Sequence, residues 1–560
     1  MPTVLFITLL TGQMFFQQSN AAEFKPSEDA VKAMQSVTPP ALMSHIRFLS
    51  DNLLEGRAPG SRGDVLARTY IAAQMELMGL KPGAPDGSYF QRVPILSMTA
   101  DPSVALEIRG NGKALSLKYG EDFVGVAGLQ QPVVTISDDE IVFVGYGIVA
   151  PEQGWDDYKG MDMTGKILLM LNNDPSPDDP TVFAGKKRLY YGRWTYKYEI
   201  AAQKGAVGAI VIHTTESAGY GWNVVESSWS GEQFELEQPA GAPANLLNSW
   251  ATLEATKSIL ALAGRNYEEL VDAAQKKSFK PIPLGVSLST TIRTTLKRVE
   301  TANVLGLLPG NDPTLKDEVV IYTAHHDHLG AGKPIDGDSI YNGALDNASG
   351  VSAILNIASA FTSLKQQPRR SILFAAVAAE ESGLIGSQYY AENPTFPVGR
   401  IAANINIDGI NIFGLTNDIV MVGLGKSSLD DVLKSVASWQ GRVVKPDQFP
   451  EQGFFYRSDQ FNFAKVGVPC MYLDPGVDYI GKPPDFGKKK VEEYIEKNYH
   501  QPSDEIAPEW DLSGGVEDVQ LMYLVGGTVA NSDRMPEWNK GDEFEGARLR
   551  EIRKIGSSGH

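Results

Sequence analysis

From residue 296 onward the sequence predicts an α/β fold built on a largely parallel sheet. Three observations carry this. Apolar runs at 319–323, 371–378 and 401–407 are long enough for strands and too continuous for one-sided burial. Segments of helical periodicity separate them; in the one at 348–361, Val351, Leu355, Ala358 and Phe361 share a face. Between 136 and 295 the texture differs, with short β-like runs split by Gly, Pro and Asp, so a second, β-rich unit is expected there.

The elements follow in order. Residues 1–22 read as a signal peptide: an apolar run at 4–10 precedes Ser19-Asn20-Ala21-Ala22, whose small residues suit a signal peptidase, although Lys and Arg are missing ahead of the run. Residues 23–135 form an N-terminal segment. In it, Leu66, Tyr70, Ala73 and Leu77 mark a helix between Gly63 and Gly79, and the turn-rich stretch 54–60 reads as a surface loop. Within 136–295, strands are expected at 141–144, 167–171 and 209–213. A short helix through Tyr198, Ala201 and Ala202 should end at Gly205, and 172–180 is a polar loop. Residues 296–535 carry the α/β alternation, and 536–560 read as a charged, loosely held tail.

Composition removes several function classes. Lys and Arg number 50 against 68 Asp and Glu, a formal charge of -18, so the chain lacks the positive field of a nucleic-acid binder. The single cysteine, Cys470, excludes an intramolecular disulfide framework and thiolate metal sites. No apolar run reaches the ~18 residues of a membrane-spanning helix.

The remaining chemistry collects at strand ends. Ala324-His325-His326-Asp327-His328 follows the run 319–323. Glu380-Glu381 follows 371–378, and Asp408 follows 401–407. Asp346 lies in Gly343-Ala344-Leu345-Asp346-Asn347-Ala348-Ser349-Gly350 just before a helix, and His500 sits in the loop Tyr499-His500-Gln501-Pro502. Alone, each has an ordinary structural explanation, Asp346 as an N-cap for instance. Jointly, five His, Asp and Glu residues converge on the rim where α/β sheets bind ligands. Imidazole and carboxylate are what zinc takes when thiolates are absent. Two metals sharing a carboxylate would use all five and leave one glutamate for proton transfer. Other chemistries fail on spacing: there is no G-x-S-x-G elbow, and Val420 stands where a phosphate loop ending in Gly425-Lys426-Ser427 needs glycine.

These motifs, in this order, resemble the co-catalytic di-zinc aminopeptidase family, which also includes glutamate carboxypeptidase and the transferrin receptor. The match runs through His325-x-Asp327, Asp346-Asn347-Ala348-Ser349-Gly350, Glu380-Glu381, Asn406-Ile407-Asp408 and Tyr499-His500. The stretch from His45 to Gly63 is similar to the N-terminal segment of larger bacterial members. Trp155-Asp156-Asp157-Tyr158 through His213 is similar to their inserted protease-associated domain. The resemblance implies a three-layer α/β/α domain with that insertion at 136–295. It further implies two zinc ions per chain, one on His325 and Asp408, one on Glu381 and His500, with Asp346 bridging. Asp327 would accept a hydrogen bond from the far nitrogen of His325. Glu380 would be the general base, and Tyr499, or less directly Tyr456, would donate to the oxyanion. His326 and His328 carry no implied catalytic role. Gln460 departs from the family, where His commonly follows Ser-Asp. The implied activity is that of an exported, periplasmic or secreted aminopeptidase attacking peptides through a di-zinc-bridged hydroxide, with no nucleic-acid partner. A carboxypeptidase or dipeptidase, a glutaminyl cyclase and a non-catalytic binding protein share the scaffold.

Overall fold

The computed structural model describes residues 24–175, 178–239 and 241–557; the expected signal segment lies outside them. The three apolar runs form the strands Val319–His325, Ser371–Val377 and Ile401–Asn406, in which every residue is buried. A strand covered on both faces has no solvent side to mark by alternation, hence the unbroken apolar runs. Val319–His325 lies between the other two, parallel to both, and Cys470–Asp474 extends the parallel set beside Ile401–Asn406. Antiparallel neighbours flank the set: Asp418–Val422 beside Cys470–Asp474, and the end of the long strand Ile282–Leu308 beside Ser371–Val377. Four parallel strands thus end on one edge.

Alternate side chains of these strands enter different cores. Val320, Tyr322, Ile372 and Phe374 join the core formed with the helices Gly350–Thr362 and Ser513–Asn531. Val319, Ile321, Leu373 and Ala375 join a second core with Tyr390 and Phe463, from the helices Ile385–Glu392 and Gln460–Lys465. Period-two alternation beneath helices on both faces gives three α/β/α layers. The helix expected after Gly63 runs Arg62–Leu77, with Ser61 Oγ accepting from the Asp64 amide at its start.

A separate apolar core draws on residues from Val104 to Ile292. Its sheet sets Val133–Phe143, Ile167–Leu171, Gly208–His213 and Leu247–Thr252 side by side in parallel, with the helix Trp194–Gln203 packed alongside. This core begins ahead of residue 136, because Ala105–Gly110 pairs with the long strand. That strand, 27 residues long, belongs to both sheets. Its first half pairs with Val133–Phe143; residues 294–304 pair with Phe90–Ala100, making an antiparallel ribbon between the two units.

The C-terminal segment is not loose, contrary to the expectation from its charge. Trp538 and Phe544 are buried in the core on the Val319/Leu373 side of the sheet. Trp538 Nε1 donates to the Gly467 carbonyl at 2.9 Å, and the helix Glu545–Ser557 follows. The aromatic anchors are joined by buried charge pairing, since Lys426 Nζ lies 3.1 Å from Asp542 and 2.7 Å from Glu543.

Candidate metal centre

The edge where the parallel strands end collects the candidate residues. His325 is the last residue of its strand, and its ring is buried. Its Nε2 lies 3.2 Å from Asp346 Oδ1 and 3.2 Å from Asp408 Oδ1. His500 Nε2 approaches the other oxygen of Asp346 at 3.4 Å and Glu381 Oε2 at 3.0 Å. Asp346 therefore presents one oxygen to each imidazole. His325, Asp346 and Glu381 form one group able to hold a metal ion, and His325, Glu380 and Asp408 another, with ligand atoms within 4.8 Å of one another in each.

The backbone is arranged to hold these carboxylates together. Asp346 sits in an irregular turn whose Leu345 and Asp346 amides donate to Asp504 at 3.1 and 3.0 Å. Asn347 ties this turn to the loop after Ile401–Asn406: its Nδ2 donates to the Ile407 carbonyl, and its Oδ1 accepts from the Gly350 and Gly409 amides. Asp408 Oδ2 accepts from Ser458 Oγ at 2.6 Å. The Glu380 and Glu381 amides both donate to the buried Asp327 carboxylate, at 3.1 and 3.3 Å.

Asp327 thus positions the glutamate pair more directly than it does His325. The nearer acceptor for His325 Nδ1 is the Asp327 carbonyl, at 3.2 Å, whereas its carboxylate is 3.8 Å away. His328, without a role in the sequence reading, places Nδ1 2.7 Å from Glu381 Oε1. His326 faces away, with Nε2 3.1 Å from Asp64 Oδ1 in the N-terminal segment. Gln460 is buried and takes over local hydrogen bonding: Oε1 accepts from Asn406 Nδ2, and Nε2 donates to the Phe455 carbonyl. Tyr499 lines the cleft and stacks on His500 at 3.9 Å. Tyr456 is buried and donates to Glu543, which removes it as an oxyanion donor.

One functional residue escaped the sequence reading. Arg57, in the stretch read as a surface loop, is 1% exposed. Its guanidinium donates to the carbonyls of His326 (2.9 Å), Asn342 (2.6 Å) and Gly343 (3.0 Å), and also to that of Leu49. It sits behind the acidic centre, within electrostatic reach of Asp327, Asp346, Asp504 and Glu381. Burial nevertheless brings it down to about 10. Only the turn-residue density of 54–60 hinted at a special conformation; Arg57 itself adopts a φ of 54°.

Electrostatics follow from this crowding. Burial alone would lower His325, but Glu380, Asp346 and Asp408 raise it well above the ordinary imidazole range. Against the same burial, Asp346 and Glu381 raise His500 to about 10. Burial raises Glu380 well above the carboxylate range, and the neighbouring charges of Asp408, Glu381 and Asp459 add to it. Such opposed shifts among adjacent groups mark functional sites. Beside the centre opens a cleft of ≈ 760 Å³ with an apolar wall that includes Ile410, Phe413 and Phe454.

Architecture and donor set together define an α/β protein with a candidate metal centre of oxygen and nitrogen donors at its strand ends. Residues 303–524 match Peptidase family M28. Leupeptin-inactivating enzyme 1 of Streptomyces exfoliatus is 30% identical over 197 residues, 35% of this chain and 41% of that protein. Leucine aminopeptidase 2 of Trichophyton equinum is 29% identical over 220 residues, 37% and 40% of the two chains. The chain thus spans about two-fifths of the length of these relatives. Among solved structures, the aminopeptidase from Aneurinibacillus sp. strain AM-1 is 19% identical and aligns over 90% of this chain and 96% of that one, with a TM-score of 0.47.

Proposed function

We propose that the protein is an exported zinc-dependent aminopeptidase, removing N-terminal residues from peptides. The carrying observation is that His325 and His500 address opposite oxygens of Asp346. The residues fit zinc. Ligand atoms of a tetrahedral zinc at ~2.0–2.1 Å stand roughly 3.3 Å apart, and the 3.0–3.4 Å contacts among these imidazoles and carboxylates match that spacing. His325 and Asp408 would hold one ion, Glu381 and His500 the second, with Asp346 between them. Zinc bound there supplies a Lewis acid for the scissile carbonyl and acidifies water.

The chain's own residues do the rest. Glu380, grouped with His325 and Asp408 but left over from the ligand set, takes the proton of the attacking water and hands it to the leaving amine. Asp327 orients the glutamate pair through its two amide contacts, and His328 fixes Glu381. Tyr499, stacked on His500 in the cleft, is the donor to the developing oxyanion. The apolar wall accepts the side chain of the N-terminal residue. The unit with the Val104–Ile292 core is proposed as the inserted protease-associated domain. Export rests on the composition of residues 1–22; no described helix is long and apolar enough to cross a membrane.

A panel of aminoacyl chromogenic substrates with N-acetylated controls, with and without chelator, tests this. Chelator-sensitive cleavage of the free-amine substrates alone is expected. Cleavage that ignores the amine but requires a free carboxylate would replace the reading with a carboxypeptidase.

A further inference from the structure

The turn that carries Glu380 and Glu381 is held from two sides. On one side the Asp327 carboxylate takes both glutamate amides. On the other stands Asn303 of the long strand, fully buried between Ala302 and Val304. An apolar residue is the ordinary choice at such a position, and a buried amide is costly unless it is hydrogen-bonded. Asn303 Oδ1 accepts from the Ala378 amide at 3.0 Å, and its Nδ2 donates to the Gly386 carbonyl at 2.9 Å. Ala378 and Gly386 are the two ends of the turn, joined also by the Gly386 amide, which donates to the Ala378 carbonyl at 2.8 Å. A primary amide offers acceptor and donor side by side, as this pair of backbone groups requires. The contact is close, since a Cβ at Gly386 would collide with Asn303 Oδ1 and the Ala378 carbonyl.

The ribbon extends this grip. Asn303 Nδ2 also donates to Oε1 of Gln91, its cross-strand partner, at 2.9 Å. Gln91 Nε2 donates in turn to the Asn393 carbonyl at 2.8 Å, at the end of the helix Ile385–Glu392 that leaves the turn. One ribbon pair therefore holds that helix at both ends. Two further ribbon residues, Val93 and Ile95, pack with Ala379 and Ile385 in a small buried apolar cluster. Ala379, immediately before Glu380, has a φ of 55°, a left-handed conformation that a residue with a Cβ keeps only where its surroundings impose it. The Asn303 contacts and the apolar cluster impose it here.

We propose that Asn303 is a positioning residue for the reaction, fixing the turn 378–386 so that the Glu380 carboxylate stays within proton-transfer range of the attacking water. This rests on the reading of Glu380 as general base in an aminopeptidase. Glu381 is pinned in addition by His328 and His500, so a loosened turn falls on Glu380 first. Displacing a catalytic group by ~1 Å can cost about 10²-fold in rate, and binding of the substrate need not change with it.

The test uses zinc-loaded, full-length protein well below its thermal transitions: wild type, Asn303→Ala, the milder Asn303→Ser, and Trp538→Ala as a variant weakened elsewhere in the same unit. On leucine p-nitroanilide, kcat should fall about 10–100-fold in Asn303→Ala and less in Asn303→Ser, with KM within about twofold and bound zinc as in wild type. Trp538→Ala should keep the wild-type kcat. Amide hydrogen exchange over 378–386 should quicken in the Asn303 variants and stay unchanged in Trp538→Ala. Should Asn303→Ala not fold, Asn303→Ser carries the same comparison. A wild-type kcat in the Asn303 variants, unchanged exchange in the turn, a loss restored by added zinc, or an equal kcat loss in Trp538→Ala would each overturn the proposal. If the wild type cleaves no free-amine substrate, the aminopeptidase reading falls, and the exchange comparison decides the hold of Asn303 on the turn by itself.

Discussion

Glu380 and Glu381 are neighbours in sequence and keep different company in space. Glu381 meets His328 and His500, whereas Glu380 groups with His325 and Asp408. Glu380→Gln keeps size but cannot take a proton, so kcat should fall by ~10²–10⁴-fold with bound zinc unchanged. Glu381→Gln should instead lose zinc and regain activity in added metal; metal analysis beside kinetics separates the two, and reversed results would exchange the roles. Arg57 makes a second test. Arg57→Ala would orphan buried carbonyls at His326, Asn342 and Gly343, at about 1–3 kcal/mol for each left unsatisfied. Denaturant unfolding should show a loss of several kcal/mol, partly recovered in Arg57→Lys, and equal stability in wild type and Arg57→Ala would refute the role. The contrast explains what was legible at this scale. Histidines and carboxylates at strand ends announce themselves by residue type, and they do converge. Arg57 acts on backbone carbonyls more than 260 residues away in sequence, which no local pattern encodes. Tyr456 misled in the opposite way, since its hydroxyl is spent on Glu543 in the C-terminal segment.

Among elements, the parallel strands were the most legible because burial on both faces leaves a continuous apolar signature. The long strand was not. Its residues 284–294 alternate between buried and more exposed, 295–300 are partly or fully exposed, and 301–306 are buried without a break. One strand passing from a one-sided to a two-sided environment changes texture midway, so the change near 295 marks a passage between sheets and not a break in the strand. Charge similarly hid the end of the chain, where spacing cannot tell that Trp538 and Phe544 anchor it. Trp538→Ala should cost about 3–5 kcal/mol, the range for large aromatic truncation in a core, and lower the midpoint of thermal unfolding. A shift within error would mean that the segment is loosely held after all.

At the scale of the molecule, the α/β/α unit with its two cores and the unit with the Val104–Ile292 core lie on either side of the ribbon, and the candidate ligands all come from the first. Metal that binds the folded form stabilises it by mass action, ~4 kcal/mol at a thousandfold excess over Kd. Calorimetry with and without chelator should therefore show a shift confined to the transition of the α/β/α unit, and metal analysis should find two zinc ions per chain. Asp346→Ala should disturb both ions and His500→Ala chiefly one. Unchanged transitions on chelation, or a single ion at full activity, would refute the two-metal arrangement.

The ribbon of Phe90–Ala100 and residues 294–304 has a mechanical consequence. A chain that leaves one unit and enters another through loops can swivel; here the passage is a hydrogen-bonded pair of strands, anchored at each end in a sheet. Such a strip flexes across its thin face but resists shear along its length, like a leaf spring. Any breathing between the units is thereby channelled into a bend in one direction rather than a free swivel.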